Sequence, residues 1–142
     1  MYYPDLSTET MIVSGPKIRA IGWLQRDQPF AAAETSADFR ERLAEFARDW
    51  SLSSRACDWP VCAGPDSCSL CGVILGTGEF GVPGEEVLYV APSLISHYVE
   101  AHQYCPPHAF IEAVLRCPSF ASTKYAKAVA RFAANKTMEP TR

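Results

Sequence analysis

The sequence predicts an α+β fold: a small antiparallel sheet with helices packed on it around one zinc-finger-like site. Three observations predict it. Apolar residues recur at helical spacing after Ser36, two strand-like runs flank Pro83-Gly84, and Cys68-Ser-Leu-Cys71 precedes His97-Tyr-Val-Glu-Ala-His102. Two thiols two residues apart and two imidazoles four residues apart are a donor set suited to one tetrahedral Zn²⁺.

The chain has 142 residues, the size of one ordinary domain, so a single domain over 1–142 is expected, with loose order at 1–10 and 136–142. A composition 48% hydrophobic and 20% charged excludes a disordered chain. The net charge of −3 supplies no drive toward nucleic acid or anionic lipid. Met1–Thr10 has no basic start and no apolar run, and no apolar stretch approaches the roughly 18 residues a membrane helix needs. A cytoplasmic protein with reduced thiols is expected, in which six cysteines favour metal ligation or burial over disulfides.

Taken in order, Ile18-Arg-Ala-Ile-Gly-Trp-Leu24 predicts a short strand. Ser36, or Thr35 before it, caps a helix whose apolar stripe is Phe39, Leu43, Phe46, Ala47 and Trp50. Arg40, Glu41, Arg42, Glu45 and Arg48 form its solvated face. Two prolines and a glycine make residues 51–67 a loop. Gly72 lets the chain turn behind Cys71, so that backbone amides face the sulfurs. Val73–Leu75 and Glu79–Val82 read as strand pieces, Pro83-Gly84-Glu85 as a turn, and Val87–Ala91 as a buried strand. Pro92 and Ser93 open a helix carrying His97 and His102, which must end before Pro106-Pro107. His108–Leu115 is a second helix with Phe110, Ile111, Val114 and Leu115 on its apolar face. Ser122 or Thr123 caps a last helix with Tyr125, Val129 and Phe132 inside and Lys124, Lys127 and Arg131 outside.

Histidines five positions apart sit about 140° apart around a regular helix. Both rings reach one ion only if the second lies where the helix ends, and His102 stands close to Pro106. The segment between Cys71 and His97 is longer than the roughly 12 residues of a short DNA-binding finger, but a hairpin fills it. Cys68, Cys71, His97 and His102 are therefore the expected metal ligands. Cys57, Cys62, Cys105 and Cys117 read as buried side chains, with a second site including His108 as the alternative; Cys57 or Cys62 could also replace an assigned ligand. Glu100 lies between the histidines, but His-x-x-Glu-x-His is neither of the zinc-protease spacings, so it is expected to face solvent or to support a ligand from behind.

Residues 68–115 resemble an uncharacterised family of small bacterial zinc-binding proteins. The similar residues are Cys68-Ser-Leu-Cys71, Leu75-Gly-Thr-Gly-Glu-Phe-Gly-Val-Pro-Gly84, Val87–His97, Tyr98–His102 and Pro106–Leu115, with Met1–Leu6 and Gly22-Trp-Leu24 alongside. The resemblance implies that Cys68, Cys71, His97 and His102 belong together, and implies no activity. Cys57, Cys62 and Cys105 depart from its pattern.

Four donors close a tetrahedral shell, which favours a structural metal over a catalytic one. The expected role is a zinc-stabilised protein-binding module, with an immunity- or antitoxin-like protein as one form of it. A zinc enzyme acting on a small molecule is the alternative, and a transcriptional regulator a weaker third reading. Whether the chain is an enzyme stays open, and neither a membrane nor a nucleic-acid partner is expected.

Overall fold

In the computed structural model the described residues are 2–10, 14–53, 66–75, 79–120 and 122–132. The elements are β1 (Ile18–Ala20), α1 (Ala37–Ser53), β2 (Asp66–Ser67), β3 (Ile74–Leu75), β4 (Glu79–Pro83), β5 (Leu88–Pro92), α2 (Ile95–His102), α3 (His108–Arg116) and α4 (Thr123–Ala130). The class is α+β, as the sequence predicts.

β4 and β5 form the expected antiparallel hairpin, in register from Glu79 opposite Pro92 to Pro83 opposite Leu88. The Gly84 amide closes the turn on the Val87 carbonyl at 2.8 Å. All five residues of β5 are buried, which suits a strand with neighbours on both edges. Its second edge takes β1, and the pairing is parallel, Ile18 opposite Leu88. The sheet is thus mixed, not antiparallel throughout. The hairpin partner already occupies one edge of β5, and an apolar alternation carries no information on the direction of the strand that takes the other.

The predicted strand at 18–24 ends at Ala20. Gly22, at φ +78°, bends the chain away, in a conformation that residues with a Cβ rarely adopt. Trp23 then turns inward, its indole N–H donating to the Val90 carbonyl at 3.0 Å. In the N-terminal segment Leu6 and Ser7 run beside the end of β1. The Leu6 amide donates to the Ala20 carbonyl at 2.7 Å, and the Ala20 amide to the Ser7 carbonyl at 2.8 Å. Backbone groups that a short edge strand would leave open are satisfied in this way.

Ser36 caps α1 by accepting the Phe39 amide at 3.2 Å. Phe39, Leu43 and Phe46 are buried as the stripe requires; the side chains of Ala47 and Trp50 lie outside the described residues. Phe46 packs on Phe80 and Phe120 with centroids 6.2 and 4.5 Å away. Arg42 is more than a solvated charge. Its guanidinium lies over the Phe46 ring at 4.7 Å, pairs with Glu45 at 2.9 Å and donates to the Cys117 carbonyl, tying α1 to the end of α3.

In α3 the buried stripe is Phe110, Ala113, Val114 and Cys117, at i, i+3, i+4 and i+7. Leu115, expected inside, is 47% exposed, because the stripe passes one position to its side. Ser122 caps α4 by accepting the Tyr125 amide at 3.1 Å, and the Tyr125 hydroxyl reaches the Gly81 carbonyl at 2.7 Å, locking α4 against β4. Among the described residues no helix is long and apolar enough to cross a membrane.

Candidate metal centre

Part of the predicted 51–67 loop is strand. β2 pairs with β3, Ser67 opposite Ile74, and the Cys68-Ser-Leu-Cys71 knuckle is the turn between them. The Cys68 amide donates to the Val73 carbonyl at 2.8 Å, and the Gly72 amide to the Cys68 carbonyl at 2.7 Å. Gly72 sits at φ +85° with open space where a Cβ would go, so the position demands conformational freedom, not room. This turn brings the Leu70 amide to 3.4 Å from Cys68 Sγ, the amide-to-sulfur contact that stabilises a thiolate. Arg26 donates to the Ser69 carbonyl at 3.1 Å and tethers the knuckle to the chain beyond β1.

The imidazoles come from α2. The helix begins at Ile95, with Pro92 left as the last residue of β5. Ile95, Tyr98 and Val99 face the core. His102 is the last helical residue. Gln103 follows at φ 56°, in the left-handed conformation of a helix C-cap, and the Tyr104 amide returns to the Tyr98 carbonyl at 3.1 Å. The second histidine thus stands at the helix end that its spacing demands. The two rings lie with centroids 5.1 Å apart and planes at 78°.

Knuckle and helix end meet. Cys68 Sγ is 3.5 Å from His102 Nε2 and Cys71 Sγ is 3.4 Å from His97 Nε2. One ligand atom from each of the four residues lies within 4.8 Å of every other. For metal–sulfur and metal–nitrogen bonds of about 2.3 and 2.0 Å, a tetrahedral S···N edge is about 3.5 Å. The two measured S···N separations match that edge. Cys68 is buried, the histidines are half-buried and Cys71 is exposed. Burial, and then the neighbouring His102, push the His97 pKa down, favouring the neutral imidazole that ligates metals.

The other described sulfurs, of Cys105 and Cys117, are not gathered here. Cys117 is buried at the end of α3, and burial pushes its thiol up to about 12, which marks it as a packing residue. Cys105 is half-buried, and His108 is exposed and paired with Glu112 at 3.0 Å. Cys57 and Cys62 lie outside the described residues. Glu100 is exposed on α2, as expected. Among the described residues the four-residue group is the cluster that could hold a metal ion.

Sequence reasoning missed two features around this architecture. Asp5 joins Gly22 and Tyr104, which no local pattern announces. Glu79, at the start of an apolar strand, is 1% exposed with Oε1 unpartnered and Oε2 accepting from Thr10 at 3.3 Å. Burial pushes its carboxyl up to about 8. The nearest sequence signal was the lone acid beside Phe80.

Fold and site together define an α+β protein with a Cys₂His₂ cluster close enough to hold a metal ion. The chain belongs to the family described as a domain of unknown function (DUF7919), whose model matches residues 1–115. That span contains the sheet, the knuckle and the histidine helix, and stops before α4. No curated protein and no solved structure matches the chain.

Proposed function

We propose that Cys68, Cys71, His97 and His102 hold one Zn²⁺ as a structural clasp, in a protein whose task is to bind another protein. The observation that carries this reading is the closed donor set: two sulfurs and two ring nitrogens with S···N separations of 3.4 and 3.5 Å. Sulfur and imidazole together select zinc over the oxygen-seeking divalent cations. Four protein donors leave a tetrahedral ion no position for a substrate or an activated water. The ion's contribution is then shape: it joins the β2–β3 hairpin, which among the described residues has two residue pairs, to the end of α2. A protein shaped in this way, with no reacting position at its metal, acts through the surface it presents.

X-ray absorption and metal analysis on the purified chain test the reading. One zinc per chain with two sulfur and two nitrogen neighbours is expected. An oxygen neighbour in the shell would instead support a zinc enzyme acting on a small molecule.

A further inference from the structure

The two sulfurs of the cluster are not equivalent. Cys68 is 1% exposed and its Sγ accepts the Leu70 amide. Cys71, on the far side of the same turn, is exposed. A coordinating metal keeps both as thiolates at neutral pH. Access and hydrogen bonding, not protonation, then decide which sulfur reacts first. A buried, hydrogen-bonded thiolate is shielded from an incoming reagent, and an exposed one is open to it.

We infer that Cys71 is a modification site: the nucleophilic sulfur at which a peroxide attacks the centre, with Cys68 as the resolving sulfur. The inference rests on the zinc reading above. In the first step the Cys71 thiolate attacks one peroxide oxygen. The S–O bond forms, the O–O bond breaks, sulfur is oxidised, and the departing hydroxide takes a proton to become water. In the second step the Cys68 thiolate attacks the Cys71 sulfenic sulfur. The S–S bond forms, the S–O bond breaks, and the second hydroxide likewise becomes water. One hydrogen peroxide and two protons are consumed, and two waters and one disulfide result. The two sulfurs start within 4.8 Å of each other, so no large movement of the knuckle is needed. The disulfide removes two of four donors. The two histidines alone hold zinc weakly, the ion leaves, and the end of α2 is released from the β2–β3 hairpin.

The test uses the full zinc-loaded chain, with zinc content measured first. N-ethylmaleimide below one equivalent, followed by peptide mass spectrometry, is expected to label Cys71 over Cys68 by ~tenfold at early times. Hydrogen peroxide is expected to release zinc in step with a Cys68–Cys71 disulfide. Equal labelling, or Cys68 labelled first, overturns the inference. Cys71→His, which keeps four donors, is expected to retain zinc and slow peroxide-driven release by at least ~tenfold; release at the wild-type rate overturns it. If that variant fails to fold, the labelling ratio in the native chain still decides. A chain that binds no zinc refutes both readings, whereas bound zinc with an inert Cys71 refutes this one alone.

Discussion

The Tyr104 hydroxyl donates to Asp5 Oδ2 at 2.7 Å, while Asp5 Oδ1 accepts the Gly22 amide at 3.0 Å. One carboxylate therefore joins the N-terminal segment, the bend after β1 and the residue that follows the C-cap of α2. Tyr104 is fully buried, with its ring edge-on to Phe30 at 6.0 Å. Burial first, and then the Asp5 charge, push its phenol well above the ordinary tyrosine range. Because Tyr104 follows so closely on His102, this contact braces the end of the helix that carries the donor.

Cutting the contact from its two sides should have unequal effects. Tyr104→Phe leaves an exposed carboxylate that water can serve, and should cost about 1 kcal/mol. Asp5→Ala removes the charged acceptor shared by a buried hydroxyl and the Gly22 amide, and should cost about 2–3 kcal/mol. Since the folded phenol is held neutral, its contribution is complete below the ordinary tyrosine pKa and is lost progressively as pH rises above that value toward the raised folded one. Urea unfolding of both variants at neutral pH checks the order; equal costs would contradict it.

Glu79 should make the protein less stable as pH rises. Its folded carboxyl stays protonated up to about 8, whereas an ordinary one releases its proton near 4.5. Between these values the folded state alone holds the proton, so stability falls with pH across that window and levels off above it. The full effect is at most about 5 kcal/mol. Glu79→Gln should flatten the profile and raise stability most near pH 8. A wild-type slope in the variant would refute the assignment.

Gly22→Ala should be poorly tolerated for two independent reasons. The backbone at φ +78° costs an alanine about 1 kcal/mol, and the added methyl would sit 2.8 Å from Ile95 Cδ1. A total loss of at least ~2 kcal/mol is expected, read as a lower thermal midpoint. An unchanged midpoint would show that the bend adjusts freely.

Chelation should act unevenly along the chain. Removing the metal is expected to lower stability by at least ~3 kcal/mol. Hydrogen exchange should then speed up first at the Cys68, Gly72 and Tyr104 amides, which donate within the knuckle and at the end of α2. The β4–β5 ladder should exchange later. Uniform loss of protection would mean that the metal holds the whole fold, not one seam.

The clustering of Cys68, Cys71, His97 and His102 was legible in the sequence because its two halves are local: a knuckle needs a tight turn, and a histidine pair needs a helix end. The β4–β5 hairpin, the caps at Ser36 and Ser122 and the Phe39–Leu43–Phe46 stripe were legible for the same reason. What was not legible depends on distant partners. Strand direction at Ile18, the bracing of Tyr104 by Asp5, the burial of Glu79 and the reach of Arg42 to Cys117 all join segments far apart in the chain. The Leu115 error was smaller in kind: two apolar stripes one position apart share Phe110 and Val114, and tertiary packing chose between them.

The parallel pairing of Ile18 with Leu88 orders events during synthesis. β1 leaves the ribosome well before β5, its partner in the sheet, with several seconds of elongation between them at ~5–20 residues per second. Its nearest available partner in that interval is the 2–10 segment, already bonded to it at Ala20. The antiparallel hairpin, by contrast, closes within a few residues of being made. On loop-closure grounds the docking of β1 is then expected to follow closure of the β4–β5 hairpin.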